Sequence, residues 1–543
     1  MRYSSIPYKN ARFIAIASAI FVFILFAGAG VSRSADLTAS ENKSAADLYF
    51  GSDREKLFDT YVSSMAEGHI LSNRGMERLG TTWAKELARA RRRFLEARTT
   101  EDVYYALLSL KNTIHDAHSD LRVPESLNPP NISLYLPFNF TSSHSTNAID
   151  FIVTESAYPE IKKGFVLKKY AGKGARELIN DYMEWHRSSS PELLEIEAAE
   201  WLTRSDSSGR PLPAKGTIPL IFMDPVSGKE ISVESSFQKK NKLNIRTERT
   251  SCRQMHFTTD DDYSDTKPVF SGLNYDLYAD TASKTLILRY FSFLYDFDDR
   301  EIWNNAACLS YKPEPVADDG LPLSYWLKRQ DAAKLSEFLK SVVGYDRILI
   351  DLRENRGGAI NEDLLSLMAG KPFKTTYRTM VFTSLFRRDA SFRKKIMRGL
   401  SPAMENRITE EFKRGAKESS PFAFSCLSGE CVEEIHQKAA SPALNFKYYL
   451  LTGPRCVSSC DQFAAIFTDN GIGTQLGLPT RGASAPFRTP YDFTLANGDH
   501  FSITFNSGIT YRPNGEPLEG NPPTPGNPVY PRENYLRKIL DSL

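Results

Sequence analysis

The sequence predicts an α/β protein with a helical N-terminal region, a small mixed domain and a larger core of strands joined by crossover helices. Three observations predict it. Apolar residues recur at helical spacing up to Leu110. Short apolar runs bounded by turn residues dominate 130–270. From about residue 280, strand-like and helix-like segments alternate, as in a sheet with crossover connections. The chain has 543 residues, 41% hydrophobic and 25% charged, ample for several packed cores. That composition excludes wholesale disorder, a collagen-like repeat and a multi-span membrane protein.

The N-terminus departs from this soluble profile. Arg2, Lys9 and Arg12 precede an apolar run from Phe13 to Gly30, followed by Ala27-Gly28-Ala29 and Ala35 as small-residue cleavage sites. Residues 1–35 therefore read as a secretory signal or as a single retained membrane anchor, the run being just long enough to span a bilayer. Both alternatives place the chain outside the cytosol, periplasmic or secreted. The first cysteine is Cys252, which excludes lipid attachment at a processed N-terminal cysteine. Six cysteines fit an export pathway. Cys426 and Cys431 bracket a turn-like Leu-Ser-Gly-Glu, and Cys456 and Cys460 are also close. No histidine stands beside either pair at zinc-ligand spacing.

The elements follow in order. Residues 36–53 are polar and read as a linker within an N-terminal region spanning 36–128. Leu57, Phe58, Tyr61, Val62 and Met65 lie on one helical face; Leu79, Trp83, Leu87, Phe94 and Leu95 suggest a second helix. Thr99 and Asp102 resemble a capping box that opens a third, ending near His115-Asp116-Ala117-His118. In 129–270, Phe151-Ile152-Val153, Phe165-Val166-Leu167 and Ile218–Phe222 are strand-like, with a helical stretch at 174–203 and a loop at 205–212. In 271–543, Leu286–Leu288, Ile348–Ile350 and Tyr448–Leu451 read as buried strands. Ala332, Leu335, Phe338, Leu339 and Val342 form a helix, and another runs from Asp461 to Asp469. Asn497-Gly498 signals a hairpin. Residues 371–446 interrupt the core and read as a helical insertion or lid.

Charge excludes one class of partner. With 68 basic against 66 acidic residues, the net charge of +2 gives no footprint for nucleic acid. The run Arg89, Arg91, Arg92, Arg93 reads as a solvated helix face.

Two strand–turn–helix segments can expose reactive groups. After the strand at 348–350, Gly357-Gly358 lets the backbone turn and leaves N–H groups that suit an oxyanion, although a plain Gly-Gly turn fits equally. In Cys456-Val457-Ser458-Ser459-Cys460-Asp461, a serine at a helix start suits a nucleophile, although serine is also a good N-cap. His115 and His118 form a His-x-x-His pair, but no third metal ligand can be named.

Together, Ile350-Asp351-Leu352-Arg353-x-Asn355-x-Gly357-Gly358, then Ser458-x-x-Asp461, Ala464-Ala465-x-x-x-Asp469-x-Gly471 and Gly477-x-x-Thr480-x-Gly482, resemble the C-terminal-processing (tail-specific) serine peptidase family. The resemblance implies a ClpP/crotonase-like catalytic core and a PDZ-like domain at 129–270. In that domain Lys163-Gly164-Phe165-Val166 would stand where a carboxylate-binding loop lies, unless it is a plain turn and strand. It implies Ser458 as nucleophile, with oxyanion donors from Ser459 and from Gly357 or Gly358. The lysine used as base by bacterial members is replaced here by Ala483. The pattern is therefore closest to Ser-His-Glu members, the tricorn core protease and the chlamydial protease-like activity factor. Asp116-Ala117-His118 then selects His118 as general base and Leu518-Glu519-Gly520 selects Glu519 as its carboxylate. The implied activity is an exported serine endopeptidase acting on protein or peptide substrates without metal or organic cofactor. The alternative is a catalytically inactive peptide- or ligand-binding protein on the same fold.

Overall fold

In the computed structural model the described residues are Ser44–Leu543 apart from short stretches, the longest being 240–248, 255–262, 296–308, 313–322 and 424–434. The N-terminal apolar run and the Cys426/Cys431 segment lie outside the described residues. No described helix is long and apolar enough to cross a membrane.

The C-terminal half is organised by a six-stranded sheet in the order Phe270–Ser271, Tyr275–Asp280, Thr285–Tyr290, Arg347–Asp351, Lys447–Thr452 and Thr474–Gly477. The first three strands pair antiparallel and the last four pair parallel. Parallel neighbours need crossovers, and helices Leu323–Ser341 and Ser459–Asp469 provide two of them. Strand side chains alternate between faces. Leu286, Leu288, Ile348, Ile350 and Leu450 pack on one side with Leu335, Leu339, Phe463 and Phe467. Ile287, Leu349 and Leu451 pack on the other, under Tyr535, Leu536, Ile539 and Leu540 of the C-terminal helix Tyr535–Asp541. The strands read from the sequence at 286–288, 348–350 and 448–451 are therefore buried on both faces.

The middle unit is a five-stranded antiparallel sheet, Phe138–Ser145, Ala148–Ser156, Val166–Tyr170, Ile218–Met223 and Glu230–Ser235, in that order. Helices Ala175–Met183 and Pro191–Thr203 cover it through Leu178, Leu194, Ala198 and Leu202. Lys163-Gly164-Phe165-Val166 is a turn entering a strand. The Gly164 amide donates to Val153 O (2.8 Å) and that of Phe165 to Lys162 O (3.1 Å), so neither is available to a carboxylate.

The N-terminal helices include Arg54–Gly68, Trp83–Glu96 and Thr100–Asn112. The third opens with the expected capping box: Asp102 N donates to Thr99 Oγ1 (3.0 Å) and Thr99 N to Asp102 Oδ2 (2.9 Å). Two details differ from expectation. Residues 45–50 are not linker but a short helix, Ala45–Phe50, whose Phe50 stacks on Phe94 at 3.8 Å between ring centroids. Six residues are too few to show a period. Leu79 lies between helices, because the Asn73–Arg78 helix stops at Gly80 (φ +64°) and Thr82 caps the next, its Oγ1 accepting from Lys85 N.

The segment 371–446 is woven into the body. Its strand Tyr377–Met380 pairs with Gly508–Tyr511. Phe382 and the helices Ser384–Arg388, Ala390–Met397 and Pro402–Lys413 that follow it place six side chains, Phe382, Leu385, Phe386, Phe392, Ile396 and Ile408, in one apolar core. That core also holds Phe50, Phe58, Phe94 and Leu107 of the N-terminal helices and Phe493, Phe501 and Phe505 of the Asn497-Gly498 hairpin. Six such side chains contribute about 1.5–3 kcal/mol each, which matches or exceeds a typical net stability of about 5–15 kcal/mol. Replacing residues 375–440 by a short Gly/Ser linker should therefore abolish cooperative unfolding rather than open a gate. A thermal melt with an unchanged midpoint would refute this.

Candidate active site

Strand Lys447–Thr452 ends at Gly453, and the chain turns through Cys456–Ser458 into helix Ser459–Asp469. Ser458 has φ +64° and ψ −119°, a conformation uncommon for a residue with a side chain. Backbone bonds hold it there. Its N–H is shared between Asp461 Oδ2 (2.9 Å) and Ala483 O (3.1 Å). Asp461, wholly buried, also accepts from Gly482 N (2.7 Å) and Ala483 N (3.1 Å). Burial pushes the Asp461 carboxyl up to about 6, and the backbone donors pull against it. Arg481 N donates to Cys456 O (2.9 Å), and Cys456 and Cys460 are joined as a disulfide with Cα atoms 5.2 Å apart. Ala483 is fully buried, and its backbone bonds to both Asp461 and Ser458.

The Gly-Gly turn abuts this one. Arg353 grips Asp351 through Nε (3.0 Å) and Nη2 (2.7 Å), and the Tyr263 hydroxyl donates to the same carboxylate (2.7 Å). Asn355 Nδ2 donates to Tyr290 O (3.1 Å), and Asn355 Oδ1 accepts from Gly357 N (2.9 Å). A Cβ at Gly357 (φ +88°) would lie 2.5 Å from Val457 O and 3.0 Å from Ser458 Cβ, so only glycine allows this approach. Ser459 Oγ donates to Gly358 O (2.6 Å), joining the two turns. Of the two glycines expected to supply an oxyanion donor, Gly357 has its N–H engaged by Asn355. Among the described residues the amides of Gly358 and Ser459 carry no partner.

His118 arrives from the far end of the N-terminal helices. Its turn is docked on the hairpin by Ser119 Oγ donating to Thr504 O (3.0 Å) and Thr504 N to Asp120 O (2.9 Å). His118 N donates to Asp116 Oδ1 (2.7 Å), and the ring Nδ1 lies 3.9 Å from that oxygen, buried and without a hydrogen bond. Asp116 is flanked on its other side by His69, whose Nδ1 accepts from Asn506 N (3.0 Å) and whose Nε2 is 3.7 Å from Asp116 Oδ2. Burial lowers the His118 pKa below the ordinary imidazole value. Asp116 pulls it back up, and Arg488 and Arg481 push it further down. His115 instead faces Glu86, with Nε2 3.8 Å from the carboxylate, so the two imidazoles do not converge.

Glu519 reaches the same region. Its Oε2 accepts from Ser484 N (2.8 Å), and Oε1 is buried without a hydrogen bond. Burial pushes its carboxyl well up, the charges of Asp116 and Asp461 add to this, and Ser484 N and Arg481 oppose it. Glu516, three residues earlier, is exposed. The structure thus gathers segments 116–118, 355–358, 456–461, 480–484 and Glu519 around one place. Ser458 Oγ, the His118 ring and Glu519 Oε1 make no hydrogen bond to one another there. Asp116 and Asp461 were present in the sequence motifs, but nothing in their spacing revealed that one flanks His118 and the other holds the Ser458 turn.

Residues 323–526 match peptidase family S41. The fold matches that of mature CPAF with a TM-score of 0.60 and 15% identity, covering 90% of this chain and 96% of that one. Mature CPAF complexed with lactacystin matches with a TM-score of 0.59 and 15% identity, over 90% and 97% of the two chains. No curated protein is matched by the sequence.

Gly357 and Gly498 test the contact between the two turns. Both have positive φ, but space around Gly498 is open. Gly498→Ala should cost about 1 kcal/mol of backbone strain and leave the site intact. Gly357→Ala should displace Val457 and Ser458 and lower both thermal stability and Ser458 reactivity. Equal effects from the two substitutions would contradict the close approach.

Proposed function

We propose, from the premise that residues 323–526 belong to peptidase family S41, that this protein is a serine endopeptidase working through a Ser458 acyl-enzyme. The observation that carries the reading is Ser458 itself: a positive-φ serine at a helix start, pressed against a glycine turn, with partner-free Gly358 and Ser459 amides beside it. In this reading Ser458 Oγ attacks the peptide carbonyl and His118 takes its proton. The amides of Ser459 and Gly358 receive the developing oxyanion, and the amine departs with the proton from His118. Water then releases the acyl group by the same route.

Glu519 is assigned to the imidazolium that forms on His118, with Asp116 as a second carboxylate already beside the ring. The six-stranded sheet is read as a ClpP/crotonase-like core and the middle unit as PDZ-like. The basic, apolar N-terminus and the paired cysteines support an exported protein, periplasmic or secreted, with residues 1–35 either removed or kept as an anchor. Mass spectrometry of the mature N-terminus tests that point.

A fluorophosphonate probe should label Ser458 stoichiometrically; absence of labelling would favour an inactive binding protein on this fold. His118→Ala should slow labelling and turnover by about 10²–10⁴-fold with the fold retained, and a fully active variant would remove the assignment. Glu519→Gln and Asp116→Asn, compared directly, decide which carboxylate serves the base.

The pH dependence has a defined sign. His118 acts as neutral imidazole, so activity is lost as pH falls through its pKa. Because burial lowers that pKa, the acid limb of kcat/KM should lie on the acid side of the ordinary histidine range. Arg488→Gln removes one of the charges that depress it and should move the limb toward higher pH. A limb that stays in place would show that Arg488 does not act on the base.

A further inference from the structure

One guanidinium outside the proposed triad touches three separate parts of the chain. Arg455 lies three residues before Ser458 and is largely buried. Its Nη2 donates to Glu200 Oε1, and its Nε lies 3.5 Å from Glu354 Oε2. Glu354 is on the other turn, three residues before Gly357. Glu200 belongs to helix Pro191–Thr203 of the middle unit. We propose that Arg455 is a positioning residue that sets the nucleophile turn against the oxyanion turn, and that Glu200 of the middle unit holds it in place. The inference rests on the reading of Ser458 as nucleophile.

The second contact from the same helix points the same way. Glu197, one turn before Glu200, accepts from the Tyr182 hydroxyl (3.0 Å) and bears on Arg481. Arg481 in turn donates its N–H to Cys456 O and acts on both His118 and Glu519. One face of the Pro191–Thr203 helix therefore reaches the Ser458 turn at Arg455 and bears electrostatically on Arg481 of the loop bonded to that turn.

The chemistry favours a geometric role over a stabilising one. An ion pair with one partly exposed partner adds little net stability, because solvent screens the attraction. A planar guanidinium does fix two carboxylates in relative position, which a lysine ammonium cannot. The two bridged turns are those whose separation matters most. The amides of Ser459 and Gly358 must converge on one oxygen, and a misplacement of about 1 Å can cost about 10²-fold in rate. Tied in this way, the position of the middle-unit helix is read directly by the reactive serine.

The test measures the second-order rate of fluorophosphonate labelling at Ser458 in the full chain, together with the thermal midpoint. Glu200 is partly exposed, so Glu200→Gln should fold normally. It is expected to slow labelling about tenfold with an unchanged midpoint and an unmoved acid limb, since His118 is untouched. Arg455→Lys should slow labelling further. The double variant should be no slower than Arg455→Lys alone, because both substitutions break one connection. Lys173→Met breaks a surface ion pair with Asp181 in the same unit and should change nothing. Labelling at the wild-type rate in Glu200→Gln and Arg455→Lys would overturn the inference. So would slowing that follows loss of the thermal midpoint, or additive effects in the double variant. A wild-type protein that is not labelled removes the underlying reading, and the inference with it. A labelled wild type with unaltered variants removes the inference alone.

Discussion

The buried carboxylate of Asp461 is the constraint on which the rest of the site depends. It accepts three backbone N–H groups, from Ser458, Gly482 and Ala483. Two of those donors come from a loop that has already crossed the sheet, so one side chain defines how the segment 480–484 lies under the nucleophile turn. The same interaction offsets the strain of a positive φ at Ser458, a cost of about 1–3 kcal/mol. The Ala483 backbone is fully engaged there, its N–H with Asp461 and its carbonyl with Ser458 N, and its methyl group is buried.

The histidine reaches this turn by a longer route. His118 sits at the end of a helical region whose apolar side chains share one core with the helices of 384–413 and the 488–506 hairpin. The hairpin strand His500–Asn506 also receives Leu121 in a β-pair and anchors His69 through Asn506 N. The placement of His118 therefore follows from packing in a core that lies outside the central sheet. The described helices of the segment 371–446 are part of that core, so they pack in the same body as the helices that carry the His118 turn.

What was legible in the sequence was local. The Thr99–Asp102 cap, the strands at 348–350 and 448–451, the Asn497-Gly498 hairpin and the helix after Ser458 are each specified by residues within one or two turns of one another. Glycines 357 and 358 carried the signal of a tight turn, although which amide stays unengaged depends on the Asn355 side chain. The remainder is long-range. Phe50 finds Phe94, strand Tyr377–Met380 finds Gly508–Tyr511, and Arg455 finds a glutamate 255 positions earlier. No periodicity records such meetings. The short Ala45–Phe50 helix was hidden for a different reason: it exists because Ala46, Tyr49 and Phe50 are buried by partners, not because its own sequence repeats.

The charges around His118 suggest how two carboxylates can serve one base. The charges of Asp116 and Asp461 raise the cost of ionising Glu519, and Arg481 opposes them. Burial favours the neutral form of Glu519. On the proposed mechanism the balance changes when His118 takes the Ser458 proton. An imidazolium favours an ionised Glu519, whose Oε1 has no other partner. The attraction then exists in the charged state of the reaction and is weak before it. Differential stabilisation of that kind lowers the barrier, whereas a permanent ion pair would bind both states alike. On this proposal the two acids do different work: Asp116 orders the loop through the His118 backbone N–H, and Glu519 answers the charge that the chemistry creates.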